Sequence, residues 1–133
     1  MLKLTKQLYD DIVTNCIAGL PQEACGLIGG YPSLEKVVKC YPARNIAQSA
    51  RLYEVHPLDY LKADRDAQEN KMEIIGVYHS HTLSEAYPSE TDLRQAPDPD
   101  WHYILVSLKD EIPVLRSYRI QQNIITEEPL IFD

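Results

Sequence analysis

The sequence predicts one α/β domain in which a mixed β-sheet is flanked by helices. Three observations predict it. Residues 5–20 carry an amphipathic stripe, with Leu8, Ile12, Cys16 and Leu20 at steps of four and Val13 and Ile17 broadening it. Two apolar runs, Ile74 to Tyr78 and Trp101 to Leu108, read as buried strands. A second helix pattern lies between strand patterns, and 133 residues suffice for one domain with its own core.

Taken in order, Thr5 is the cap of the first helix, and Gly19 with Pro21 marks its end. Cys16 falls on the apolar stripe and is a packed core residue. Ala24 to Ile28 reads as a short buried strand, with Gly29-Gly30 and Pro32 making the turn after it. Glu35 to Tyr41 is its hairpin partner. Residues 45–50 are polar and unpatterned, a loop, and Leu52 to Val55 is a third short strand. Pro57 opens a second, exposed helix, with Leu58, Leu61 and alternating charge through Lys71. The strand from Ile74 follows. Ser89 is a good N-cap for a short helix that holds Asp92 in its first turn. Pro97-Asp98-Pro99-Asp100 reads as a rigid acidic turn. After Trp101 to Leu108, residues Lys109-Asp110-Glu111 turn into a strand over Ile112 to Ile120, and the segment from Ile124 adds an edge strand.

The composition excludes several function classes. Hydrophobic residues make up 44% and charged residues 25%, and the formal charge is −7. Lysines and arginines are scattered, so there is no nucleic-acid footprint. No apolar run approaches the roughly 20 residues of a membrane span. Met1 to Thr5 lacks the apolar core of a signal peptide. Cys16, Cys25 and Cys40 have no paired spacing, which predicts no disulfide framework and a reducing cytoplasm.

The chemistry concentrates where the strand from Ile74 ends. His79 and His81 stand two apart, so on a strand both leave the same face and can aim at one point. A loop of seven residues, Thr82 to Pro88, leads to Ser89-x-x-Asp92. A strand end, a loop and a helix start can fold back and bring Asp92 to the imidazoles. Two neutral imidazoles and one carboxylate leave a fourth tetrahedral position open, the ligand count of a catalytic zinc site. Such a site needs a general base. Glu23, just ahead of the first buried strand, is the candidate; taken alone it would read as an exposed residue leading that strand. Cys25 shares Glu23's face if both lie in the strand, and reads as a small buried residue. His56, before Pro57, reads as a surface or capping residue, and His102 as a hydrogen-bonded core histidine.

Glu23, His79-Ser80-His81 and Ser89-x-x-Asp92 together resemble the motif of the JAMM (MPN-plus) zinc metalloproteases. The likeness spans essentially the whole chain. Glu23-Ala24-Cys25-Gly26, Tyr78 to Thr82 and Glu85 to Ser89 are most similar to small prokaryotic members that hydrolyse sulfur-carrier-protein–cysteine adducts. Arg116 to Ile120 and Thr126 to Pro129 fit the same group. The resemblance implies a JAMM/MPN domain, related to the cytidine-deaminase-like folds, with a mixed, curved sheet. It implies one zinc per chain on His79, His81 and Asp92. Glu23 would be the proton-transferring base and Ser89 the oxyanion donor. The substrate would be the C-terminal tail of a ubiquitin-like sulfur carrier, cut after its terminal glycine to release cysteine. It leaves room for a homodimer. Members that cut ubiquitin have proline after the second histidine, where this chain has Thr82, and the chain is short for the insertions that grip a second ubiquitin. Deubiquitination is therefore the weaker expectation. A non-catalytic scaffold would lack the histidines. A nucleoside deaminase would need His-x-Glu and Pro-Cys-x-x-Cys, which do not occur.

Overall fold

The computed structural model describes residues 1–96 and 98–133. Its strands are β1 (Leu2–Leu4), β2 (Cys25–Tyr31), β3 (Lys36–Ala43), β4 (Glu73–His81), β5 (His102–Ser107), β6 (Val114–Gln121), β7 (Ile124–Glu128) and β8 (Leu130–Phe132). Its α-helices are α1 (Lys6–Ala18), α2 (Pro57–Glu69) and α3 (Glu90–Arg94). Along the eight-stranded sheet the order is β7-β6-β5-β4-β2-β3-β1-β8. β4–β5, β1–β3 and β1–β8 are parallel, and the other ladders are antiparallel. β7 and β8 lie at opposite edges although only Pro129 separates them in sequence. The chain therefore ties the two edges together and curls the sheet nearly into a barrel. This is the mixed, curved sheet flanked by helices that the sequence predicts.

Strand alternation divides the core. Leu27, Val77 and Leu105 bury with Ala63 and Ala67 of α2, whereas Ile28, Tyr78 and Ile104 bury with Ile12 and Cys16 of α1. α1 begins as expected, with the Thr5 hydroxyl accepting from Leu8 N at 3.1 Å. His56 caps α2 in the same way, its Nδ1 accepting from Leu58 N at 3.1 Å.

Three expectations need correction, and one strand goes unpredicted. Gly29 and Gly30 do not turn the chain. They lie inside β2, where the pairing shifts register, and a Cβ on Gly30 would fall 1.9 Å from the Lys36 carbonyl oxygen. The turn sits one step later, at Pro32–Leu34, and closes through Glu35 at φ 47°. Leu52 to Val55 forms no strand; one isolated bridge, Asn45 to Val55, is all that pairs there. α2 is not simply exposed, because its small residues Ala63 and Ala67 pack on the sheet while Leu58 and Leu61 face outward. β1 was not foreseen. It exists only through its parallel partners β3 and β8, the latter more than a hundred residues away. The acidic turn before Trp101 includes Pro97, which lies outside the described residues.

Candidate metal centre

The site forms where β4 ends. His79 and His81 project from one face of the strand, with ring centroids 5.1 Å apart and planes at 65°. Ser80, between them, points the other way, and its Oγ accepts from Ala24 N at 2.9 Å. Ser80 N also donates to the Ala24 carbonyl at 3.0 Å. These two bonds pin the entry to β2 against β4, and Glu23 is the next residue upstream. The β2–β4 register, Cys25 opposite His79, extends the same contact.

α3 supplies the third residue of the cluster, Asp92. Ser89 is its N-cap: its Oγ accepts from Asp92 N at 3.1 Å, and its own N donates to Asp92 Oδ2 at 2.9 Å. This reciprocal capping box fixes the Asp92 carboxylate. It then lies 3.1 Å from His79 Nε2 through Oδ1 and 2.9 Å from His81 Nε2 through Oδ2. All three residues are buried.

The donor set fits a divalent cation. His81 Nδ1 lies 2.8 Å from the Glu85 carbonyl, which can only accept, so Nδ1 carries the proton. In a neutral ring Nε2 then presents a lone pair to the Asp92 carboxylate. Two acceptors at 2.9 Å require a cation, either a proton or a metal, between or beside them. His79 Nε2 is buried and misaligned for a hydrogen bond with Asp92. A tetrahedral ion with bonds of about 2.0–2.1 Å spaces its ligand atoms about 3.3 Å apart, close to the separations seen. Burial lowers the pKa of His79 and keeps it neutral against the opposing pull of Asp92. Burial opposes charge on His81, but Asp92 and the Glu85 carbonyl raise it. Burial would raise Asp92, yet the two imidazoles beside it and the Ser89 N–H hold it far below the ordinary carboxylate range.

Glu23 is buried beside these ligands, and its Oε1 has no hydrogen-bond partner. Burial raises its pKa to about 7, with His81 pulling down and Asp92 pushing up. Its backbone is held by Glu23 N donating to Ser49 O at 2.7 Å and Asn45 Nδ2 donating to Glu23 O at 2.9 Å. Ser89 is solvent-exposed, and its hydroxyl accepts in the cap while donating no hydrogen bond among the described residues. Thus the structure gathers all five residues singled out in the sequence. Cys25 is fully buried, with Sγ 3.8 Å from the Ala43 and Arg44 carbonyls, and takes no part.

Sequence reasoning missed the supports: the Glu85 carbonyl, Asn45, and Tyr53, whose ring stacks on His79 at 4.0 Å and 21°. Only Ser80 carried a signal, as the odd residue in His-x-His. One further group of possible ligands, Glu35, His102 and Glu128, also comes together. There His102 Nδ1 lies 2.6 Å from Glu128 Oε2, a direct hydrogen bond and too short for two ligands around one ion. His102 is therefore the bonded core histidine that its position predicts.

The family model for prokaryotic homologs of the JAB domain matches residues 5–121. The CysO-cysteine peptidase of Mycobacterium tuberculosis is 36% identical over 131 residues, covering 98% of this chain and 90% of that protein. The desampylase of Haloferax volcanii is 29% identical over 111 residues, 80% of each chain. A protein of Desulfitobacterium hafniense solved in solution superposes with a TM-score of 0.91 at 34% identity, over 100% of this chain and 93% of that one.

Proposed function

The chain belongs to the prokaryotic JAB-domain family of JAMM hydrolases, and from that premise we propose that it is a zinc-dependent peptidase. Its substrate is the C-terminal tail of a ubiquitin-like sulfur-carrier protein, and it cuts after the terminal glycine to release cysteine in the cytoplasm. The observation that carries the metal is the buried His79–His81–Asp92 cluster, in which two imidazole nitrogens face one carboxylate at 3.1 and 2.9 Å. The CysO-cysteine peptidase supports the substrate class.

His79, His81 and Asp92 would hold the zinc. When bound it supplies Lewis acidity, polarising an amide carbonyl and acidifying water toward a pKa of about 7. Glu23 does the proton work. With a pKa near 7 its buried, unpartnered Oε1 can take a proton from water and deliver it to the leaving amine, in the range where a carboxyl shuttles best at neutral pH. The Ser89 hydroxyl, exposed and accepting in the cap, keeps its O–H to donate to the carbonyl oxygen of the scissile amide. The Asp92 cap holds that hydroxyl oxygen in place.

The test is to incubate the zinc-loaded protein with a carrier–cysteine adduct and weigh the products. Wild type releases free carrier and cysteine. Glu23→Gln keeps its zinc and loses at least about 100-fold in rate, the usual worth of a general base. No cleavage by wild type, or equal cleavage by Glu23→Gln, overturns the reading.

A further inference from the structure

The two imidazoles of the site are oriented by different means. His81 follows a common pattern, donating Nδ1–H to a carbonyl, that of Glu85, at 2.8 Å. His79 has no such hydrogen bond among the described residues. Its ring instead lies against Tyr53, centroids 4.0 Å apart and planes within 21°. Tyr53 itself belongs to no strand or helix. It is buried in the core and also lines a cavity of about 390 Å³ with Leu27, Val55, Tyr60 and Trp101, so one side of it is open to movement.

Backbone clamps hold Tyr53, and they run through one side chain. The Asn45 amide donates to Leu52 O at 3.1 Å and to Glu23 O at 2.9 Å. Its oxygen accepts from Glu54 N at 2.9 Å and Ala47 N at 3.0 Å. Two donors and two acceptor positions are thereby all used. The residues on either side of Tyr53 are both bound, and so is the residue that carries the base.

We propose that Tyr53 is a positioning residue for the metal ligand His79, and that Asn45 sets the stack and Glu23 together. This rests on the zinc reading of the site. The face of an aromatic ring is its negative pole, and an imidazole that ligates a cation becomes electron-poor. The stack is therefore stronger in the metal-bound state than in the free one, and the difference appears as metal affinity. Tyr53 does the service that a hydrogen-bonded carbonyl does for His81. Because Asn45 ties it to the Glu23 backbone, ligand and base keep one relative placement.

Zinc affinity, measured by competition with a chromophoric chelator, tests this. Tyr53→Phe retains the ring and binds zinc within about threefold of wild type, since the stacking face is kept. Tyr53→Leu weakens zinc by about 10- to 100-fold, the usual cost of removing a ligand's outer support. Asn45→Ala weakens it in the same direction. Ile120→Ala, which hollows the same core from β6, leaves zinc affinity unchanged and controls for loosened packing. Circular dichroism verifies that each variant is folded. A wild-type measurement stands apart from any variant's folding: the His79 ring protons, assigned with His79→Gln, resonate upfield of those of His81 in the metal-free protein, because they lie over the Tyr53 ring. A folded Tyr53→Leu with wild-type affinity, a Tyr53→Phe as weak as Tyr53→Leu, or no upfield displacement overturns the proposal. Wild type that binds no zinc overturns the reading of the site instead.

Discussion

Glu128 offers the sharpest test of what closes the sheet. It ends β7, just before the chain crosses to the opposite edge as β8. Its Oε2 accepts from His102 Nδ1 on β5 at 2.6 Å and from Ser117 Oγ on β6 at 2.9 Å, and all three residues are buried. In Glu128→Gln one neutral carbonyl oxygen replaces an ionised one and can still accept both bonds. Bonds to a charged group are worth about 1.5–3 kcal/mol and neutral ones about 1, so two bonds together lose about 1–4 kcal/mol. Glu128→Ala strands both donors and costs about 3–5 kcal/mol. Unfolding entropy of about 2.1 cal/mol/K per residue over 133 residues gives about 0.28 kcal/mol/K, so the Gln variant melts about 4–14 °C lower. Acid sets the sign. Burial pushes the Glu128 carboxyl up, but His102 and Ser117 outweigh it and hold the pKa below its ordinary value. The stabilisation is therefore present above the unfolded glutamate pKa of about 4.3 and is lost as pH falls through the lower folded value. Urea unfolding at neutral pH and near pH 3 measures both effects, and the gap between wild type and Glu128→Gln narrows in acid. A Gln variant within about 0.5 kcal/mol of wild type at neutral pH, inside the range of an ordinary surface substitution, refutes the reasoning. So does a gap that widens on acidification.

Three other outcomes follow from particular contacts. Gly76→Ala places a Cβ 2.1 Å from the His102 carbonyl oxygen, so β4 and β5 must separate, and urea unfolding registers a loss of about 2 kcal/mol or more. Ser89→Ala removes a helix cap and an oxyanion donor at once: stability falls by about 1 kcal/mol in thermal melts, while kcat drops about 100-fold or more in the adduct assay. Burial raises the thiols of Cys16 and Cys25 to about 12, so in timed mass spectrometry a maleimide leaves both unlabelled in the folded protein and modifies them on unfolding.

Legibility in the sequence tracked the range of the interactions involved. α1, β4 and β5 were readable because local periodicity carries their burial. Four of the five candidate site residues were readable because a strand's alternation and a helix cap fix His79, His81, Ser89 and Asp92 over fourteen residues, and Glu23 stood out only beside those histidines. The failures are long-range or backbone-borne. β1 exists only through distant parallel partners. Gly29-Gly30 resemble a turn yet serve a strand that needs close approach to β3. Leu52 to Val55 has strand composition, but Asn45's amide takes up the backbone groups that a neighbouring strand would have bonded. Ala63 and Ala67 were overlooked because the apolar pattern favoured the larger leucines.

The same distinction explains how the site is assembled. His79, His81 and Asp92 come from one continuous stretch, whereas Glu23 comes from a segment more than fifty residues earlier. Nothing local brings Glu23 to His79. What does so is the β2–β4 register, fixed at its end by Ser80, whose side chain must leave the face opposite the histidines to reach Ala24 N. A slip of one residue in that register would turn every side chain of β2 to the other face of the sheet. It would also break the Ser80–Ala24 bond and carry Glu23 off the ligand face. The serine between the two histidines thus anchors the segment that carries Glu23 beside the two imidazoles. That is why the spacing His-Ser-His carries more information than the two histidines alone.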